Sequence, residues 1–311
     1  MPGWTTDRIP DLDGRTAIVT GANSGLGRAV ATALTAKGAR VVLACRNLEK
    51  ATPVVAACQQ VARGGTPESR VLDLADLDSV RSFAASVDDL GGIDILVNNA
   101  GVMALPQMLT ADGFEMQLGT NHLGHFALTG LLLPHLRPGA RVVSVSSIMA
   151  NFGSIRFDDL QGERGYHPSG AYSQSKLANL LFTAAFDRRL RDAHRQAVAV
   201  AAHPGYASTN MTSGKSVPGK RSRYDIVLGA GVTLLAHSAA TGALPLLYAA
   251  AAPAVESGQY FGPRGPLQLW GRPRKIGYPV LARKAEAARR LWEVSEELTG
   301  VEYDFDEVAR P

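Results

Sequence analysis

The chain has 311 residues, 46% of them hydrophobic and 19% charged, with a mean hydropathy near zero. That length and balance exclude intrinsic disorder and favour one α/β domain with additions over two domains. The net charge of +4, from 32 basic and 28 acidic residues, is too even for a nucleic-acid-binding surface, and no apolar run is long enough to span a membrane.

Short apolar runs alternate with longer amphipathic ones. Thr16–Thr20 predicts a strand, and a helical pattern follows over 25–37, with Gly21, Gly25 and Gly27 between. A strand, a glycine-rich turn and a helix N-terminus in that order offer free backbone N–H groups to a pyrophosphate. The spacing in Thr20-Gly-Ala-Asn-Ser-Gly-Leu-Gly27 differs from the commoner Gly-x-Gly-x-x-Gly. Further strands are predicted at Arg40–Ala44, Arg70–Leu72, Ile93–Asn98, Arg141–Ser146 and Ala197–Ala202, and helices near 48–62, 76–89, 111–136 and 171–193. This alternation implies right-handed crossovers and a doubly wound parallel sheet of Rossmann type. Two long connections, Gly153–Gly170 and Gly205–Arg223, interrupt the rhythm, and long loops beyond strand ends are where ligands and lids are found. From Pro279 to Gly300, residues Leu281, Ala285, Ala288, Leu291, Trp292 and Leu298 recur at helical spacing. That pattern predicts a helix packed on the body or placed at a subunit contact.

Tyr172 and Lys176, four residues apart on a predicted helix, share one face. An ammonium beside a phenol is expected to lower its ionisation from the usual value near ~10. The pair would then exchange a proton with an alcohol or carbonyl oxygen near neutral pH, while Ser147 holds the same oxygen. Alone, Tyr-x-x-x-Lys arises often by chance. Cys45 and Cys58 form neither a disulfide framework nor a metal pattern. His122 and His125 are three apart without a carboxylate or thiol cluster, so no metal is expected. Lys215, Lys220, Arg221 and Arg223 read as a solvated basic loop, and Met1–Arg8 carries no signal-like apolar run, so the expected location is the cytoplasm.

Taken together, these motifs resemble the short-chain dehydrogenase/reductase family over about Gly14 to Gly262. The Thr20–Gly27 turn, Asn98-Asn99-Ala100-Gly101, the set Asn121, Ser147, Tyr172 and Lys176, and Pro204-Gly205 with Thr209 stand in the family's order. Ser147 is preferred to Ser146 because Ser147-Ile-Met-Ala150 fits the family's Ser-x-x-small pattern. The resemblance implies Tyr172 as proton donor in reduction, Ser147 orienting the carbonyl, and Lys176 binding the nicotinamide ribose. It implies an Asn121 backbone carbonyl that holds a water linked to Lys176. It assigns cofactor contacts to Gly21, Asn23, Ser24, Gly25, Leu26 and Gly27 in the turn, and to Asn99, Ala100 and Gly101 after the fourth strand. Tyr172, Lys176, Pro204, Gly205 and Thr209 would contact the nicotinamide half, and Asp73-Leu74 the adenine. Where relatives that use NAD carry an aspartate, this chain has Cys45 followed by Arg46, whose guanidinium suits a 2′-phosphate, so NADP(H) is expected.

Val41-Val-Leu-Ala-Cys-Arg-Asn47, Asn121-His-Leu-Gly-His-Phe126, Tyr172-Ser-Gln-Ser-Lys-Leu-Ala-Asn179, Gly242-Ala-Leu-Pro-Leu-Leu-Tyr248 and Gly258-Gln-Tyr-Phe-Gly262 resemble the retinol dehydrogenase and protochlorophyllide reductase branch. The implied organisation is an arm over 1–13, an NADP-binding domain over 14–262 and a helical extension over 263–311. The implied function is an oxidoreductase interconverting a carbonyl and an alcohol on a lipophilic small molecule. The alternative is a catalytically silent NADP-binding sensor or scaffold, which typically lacks the tyrosine or lysine. Expected partners are the small-molecule substrate and, in a homo-oligomer, a second copy, with neither nucleic acid nor a membrane anchor. The loop 209–223 is expected to act as a lid, with Met211 and Val217 turned inward.

Overall fold

The computed structural model describes residues 3–206 and 238–306. Thr209, Met211 and Val217, and with them the lid expectation, lie outside the described residues. The strands are β1 (Thr16–Thr20), β2 (Arg40–Cys45), β3 (Glu68–Val71), β4 (Ile93–Asn98), β5 (Leu136–Val145), β6 (Val198–Ala202), β7 (Tyr260–Pro263) and β8 (Pro273–Ile276). They form one eight-stranded sheet in the order β3-β2-β1-β4-β5-β6-β7-β8. Every neighbouring pair is parallel except β7 with β8. The order reverses between β1 and β4, which opens a crevice beyond their carboxyl ends.

Sheet alternation divides the core in two. Ala17 and Val19 of β1 face one side, with Val30 and Leu34 of α1 (Gly25–Thr35), Val54 and Cys58 of α2 (Leu48–Val61) and Leu246 of a helix over Ala239–Ala251. Ile18 faces the other, with Val80 and Phe83 of α3 (Leu77–Ala85) and residues of four later helices. Both faces are covered, so the central strands read as apolar runs rather than alternating ones.

The region predicted as one helix over 111–136 is divided into α4 (Met116–Leu118), a π-turn over Gly119–Leu123 and α5 (Gly124–Leu132). Gly113 has φ +82° and Thr110 N bonds to Phe114 O at 2.8 Å, a turn that keeps 111–115 out of the helix. α6 (Pro168–Asp192) starts at a proline, where the missing N–H is no loss. β5 begins at Leu136 rather than Arg141, because Arg137–Ala140, with Pro138-Gly139, form an irregularity within the strand rather than a turn before it. β3 runs over 68–71 instead of 70–72. α7 (Ala239–Ala251), β7 and β8 were not foreseen.

α8 (Ala285–Thr299) is packed on the body, against α5 and α6. Trp292 stacks on Phe182 with centroids 5.8 Å apart and meets Phe126 edge-on at 5.0 Å. Tyr303 donates its hydroxyl to Phe126 O at 2.6 Å, so the extension covers α5 and α6. Among the described residues, no helix is long and apolar enough to cross a membrane.

Candidate active site

The crevice is lined first by the turn after β1. Gly21 has φ +64°, a left-handed conformation that favours glycine, and a Cβ there would lie 2.9 Å from Ala100 Cα. A Cβ on Gly27 would sit 2.5 Å from Gly21 O and 2.6 Å from Asn99 Nδ2, so α1 starts tight against the turn. The Thr20 hydroxyl accepts from Asn99 N and Ala100 N, each at 2.9 Å, and Thr20 O accepts from Asn99 Nδ2 at 2.8 Å. These contacts join the Gly21–Gly27 turn to the Asn99-Ala100-Gly101 segment. Ser24, the N-cap of α1, makes no side-chain capping bond, and Asn23, Ser24 and Gly25 are half-buried. An uncapped helix N-terminus behind a turn that has no room for a side chain at Gly21 or Gly27 fits a phosphate-bearing cofactor. Leu26 is buried and serves the core.

At the end of β2 the buried Cys45 sulfur lies beside the backbone N–H groups of Ala22 and Asn23. A thiol, not a carboxylate, therefore supports the turn. Arg46 projects outward with its side chain 75% exposed, its Nε 3.9 Å from Asp73 Oδ2. Asp73 accepts from Ala75 N at 3.0 Å, while the Leu74 side chain is buried, leaving only its backbone for a ligand.

Ser147 follows β5, and Tyr172 and Lys176 lie one turn apart on α6. The Ser147 hydroxyl lies beside the Tyr172 phenol and favours its ionised form. Ser146 points elsewhere, donating to Lys176 O at 2.8 Å. Lys176 Nζ donates to Val145 O at 3.1 Å and lies 5.8 Å from the centre of the Tyr172 ring. A Cβ on Gly101 would be 2.9 Å from Asn121 Oδ1 and 3.4 Å from Lys176 Nζ, so these groups flank one face of Gly101. The expected lowering of the phenol is not found. Burial pushes Tyr172 up to about 12, partly offset by Ser147, and pushes Lys176 down to about 8. Both groups have left water, and desolvation outweighs what the pair would gain.

Asn121 is fully buried within the π-turn. Its Nδ2 donates to Val102 O and Ser175 Oγ, both at 2.9 Å, and its Oδ1 accepts from Val102 N at 2.8 Å. Pro204 and Gly205 follow β6 and are half-buried. The segment after β7 closes on them, with Tyr206 N donating to Leu269 O at 2.7 Å and His203 paired with Gln268 at 3.0 Å. Among the described residues, no three His, Cys, Asp or Glu side chains gather as metal ligands.

The sequence profile of the short chain dehydrogenase family matches residues 15–217. The chain belongs to the short-chain dehydrogenase family. Within this family it is 41% identical over 297 residues to human retinol dehydrogenase 13, covering 94% of this chain and 86% of that one. The crystal structure of an uncharacterized Mycobacterium paratuberculosis protein matches with TM-score 0.81 and 43% identity, over 97% of this chain and 99% of the other. A Burkholderia cenocepacia short-chain dehydrogenase solved in complex with NADP matches with TM-score 0.62 and 25% identity, over 80% and 96% of the two chains. This short-chain dehydrogenase is thus an oxidoreductase of the retinol dehydrogenase-like branch, and the family binds a nicotinamide cofactor.

Thr20, Ser175 and His125 hold this short-chain dehydrogenase site together, yet no individual role was read for them from the sequence. The i, i+4 spacing of His125 from Asn121 was the available signal.

Proposed function

We propose that the protein is an NADP(H)-dependent oxidoreductase interconverting a carbonyl and an alcohol on a lipophilic small molecule, with Tyr172 as the proton donor in reduction. The observation that carries this reading is the placement of Tyr172 beside Ser147 and Lys176, in the crevice that the uncapped α1 turn also enters. A bound nicotinamide dinucleotide supplies the hydride for the carbonyl carbon. Tyr172, raised to about 12, is protonated at neutral pH and gives its hydroxyl proton to the carbonyl oxygen as that oxygen gains charge. Ser147 donates to the same oxygen, and Lys176 binds the cofactor's ribose. Asn121, Ser147, Tyr172 and Lys176 are the proposed catalytic set. The proposed cofactor contacts are the Gly21–Gly27 turn, Arg46, Asp73, the 99–101 segment, Pro204, Gly205 and Thr209.

Arg46 with Cys45 in place of a carboxylate supports the phosphorylated cofactor, because a guanidinium pairs with a 2′-phosphate that a carboxylate would repel. The NADP bound to the Burkholderia relative supports it too. Exposed apolar side chains near the carboxyl ends of β5 and β7 support the lipophilic substrate. Phe152 is 76% exposed just after Ser147, and Leu267 is 79% exposed beside the Leu269–Tyr206 contact. The relatives named retinol dehydrogenases point to an alcohol on a long apolar body.

Following NADPH and NADH absorbance with aldehydes, ketones and alcohols of graded apolar length tests the proposal. Turnover that rises with apolar length and favours NADPH is expected. Equal turnover of small polar carbonyls, or preference for NADH, would overturn the assignment.

A further inference from the structure

Both ring nitrogens of His125 are engaged, and the partners fix its protonation. Nδ1 is 3.0 Å from Asn121 O, and a carbonyl only accepts, so Nδ1 carries the hydrogen. Nε2 is 2.9 Å from Thr20 Oγ1. That hydroxyl already accepts from Asn99 N and Ala100 N, and its single hydrogen has two acceptors within reach, His125 Nε2 at 2.9 Å and Val97 O at 3.3 Å. The shorter contact goes to the bare Nε2 of a neutral ring. Burial holds His125 in that state, pushing it down to about 3, with Lys176 and His122 as the nearby charged or titratable groups acting in the same direction.

We propose that His125 is a positioning residue that fixes the backbone carbonyl of Asn121 and ties it, through Thr20, to the backbone of Asn99 and Ala100. The assignment rests on the reading of the site proposed above. A carbonyl oxygen has two lone pairs. His125 occupies one of them and so sets the direction of the other, the one a water linked to Lys176 would use. Asn121 sits in the widened π-turn, where Gly124 N reaches back five residues to Gly119 O instead of four. The Asn121 side chain is already committed to Val102 and Ser175. With the ring in place Asn121 has bonds to the β4 loop, to α6 and, through His125, to the end of β1. No freedom remains by which its carbonyl could turn. Loss of the ring leaves the side-chain amide in place and releases the carbonyl.

Two measurements decide it. Ring-nitrogen NMR of the full chain with selectively labelled histidine, assigned by His125→Asn, is expected to show protonated Nδ1 and bare Nε2 across about pH 5 to 8. The opposite tautomer, or titration within that range, overturns the proposal whatever the activity. The second is steady-state kinetics of wild type, His125→Leu, His125→Asn and Tyr172→Phe. His125→Leu is expected to lower kcat on the order of 10²-fold, the cost of a small misplacement, with little change in KM. His125→Asn keeps a donor near the Nδ1 position and is expected to recover about tenfold of that loss. Wild-type kcat in His125→Leu, or no recovery in His125→Asn when both variants melt cooperatively, overturns the proposal. If neither variant folds, the wild-type tautomer decides. Activity surviving in Tyr172→Phe would instead defeat the reading of the site and leave the tautomer result standing.

Discussion

Lys176→Met replaces a nearly fully buried ammonium, 3% exposed, by an apolar side chain of similar length. Burial holds the folded-state value near 8, against an ordinary value of 10.5. Below about pH 8 both states of wild type carry the proton, and the folded state bears the whole cost of a desolvated charge. Between about 8 and 10.5 the unfolded chain binds more protons than the folded one, so stability rises with pH through that window. Integrated from about pH 7 to about pH 10, wild type gains about 2 kcal/mol relative to the variant. The lost bond from Nζ to Val145 O lowers the variant equally at every pH and leaves this slope untouched. Tyr172, raised from 10.0 to about 12, acts with the opposite sign but only above about pH 10, so the series stops there. Urea unfolding of both proteins at about pH 7, 8, 9 and 10 reads the difference directly. A gap between wild type and Lys176→Met that stays constant over that range would refute the reasoning.

Arg46→Asp should shift preference from NADPH towards NADH by about 10–100-fold, the worth of one charge-assisted bond, and unchanged relative affinities by fluorescence titration would deny Arg46 that role. Gly27→Ala places a methyl 2.5 Å from Gly21 O, a backbone atom that cannot swing aside. It should cost about 1–3 kcal/mol in urea unfolding and weaken NADPH binding at least tenfold, and wild-type affinity would show that the turn does not cradle the cofactor.

Legibility followed burial. β1 and β4 run as predicted, because each is a fully buried apolar run closed by polar or glycine residues. β3, Glu68–Val71, has no fully buried residue, so its edges left no apolar signal. β8 begins at Pro273 on the sheet edge, where proline is tolerated, and its four residues show no alternation. α7 was hidden by Gly242 and Pro245, residues that speak against a helix although both are buried within one. At the site, the order of motifs placed Ser147, Tyr172, Lys176 and Asn121 in one crevice. The ionisation of Tyr172 is not legible in the sequence, because spacing tells which groups are neighbours but not how far each has been withdrawn from water. The three-residue spacing of His122 and His125 raises only the question of a metal, not the contacts His125 makes. Its partners, Thr20 and the Asn121 carbonyl, are brought to it by the sheet and the π-turn.

Proton donation by Tyr172 is the central claim, and removing one hydroxyl tests it most directly. Tyr172→Phe, assayed for NADPH oxidation with a long-chain aldehyde and for NADPH affinity by fluorescence, should lose about 10²–10⁴-fold in kcat while binding cofactor as wild type does. Retention of most of the wild-type kcat in a folded, cofactor-binding variant would contradict the account.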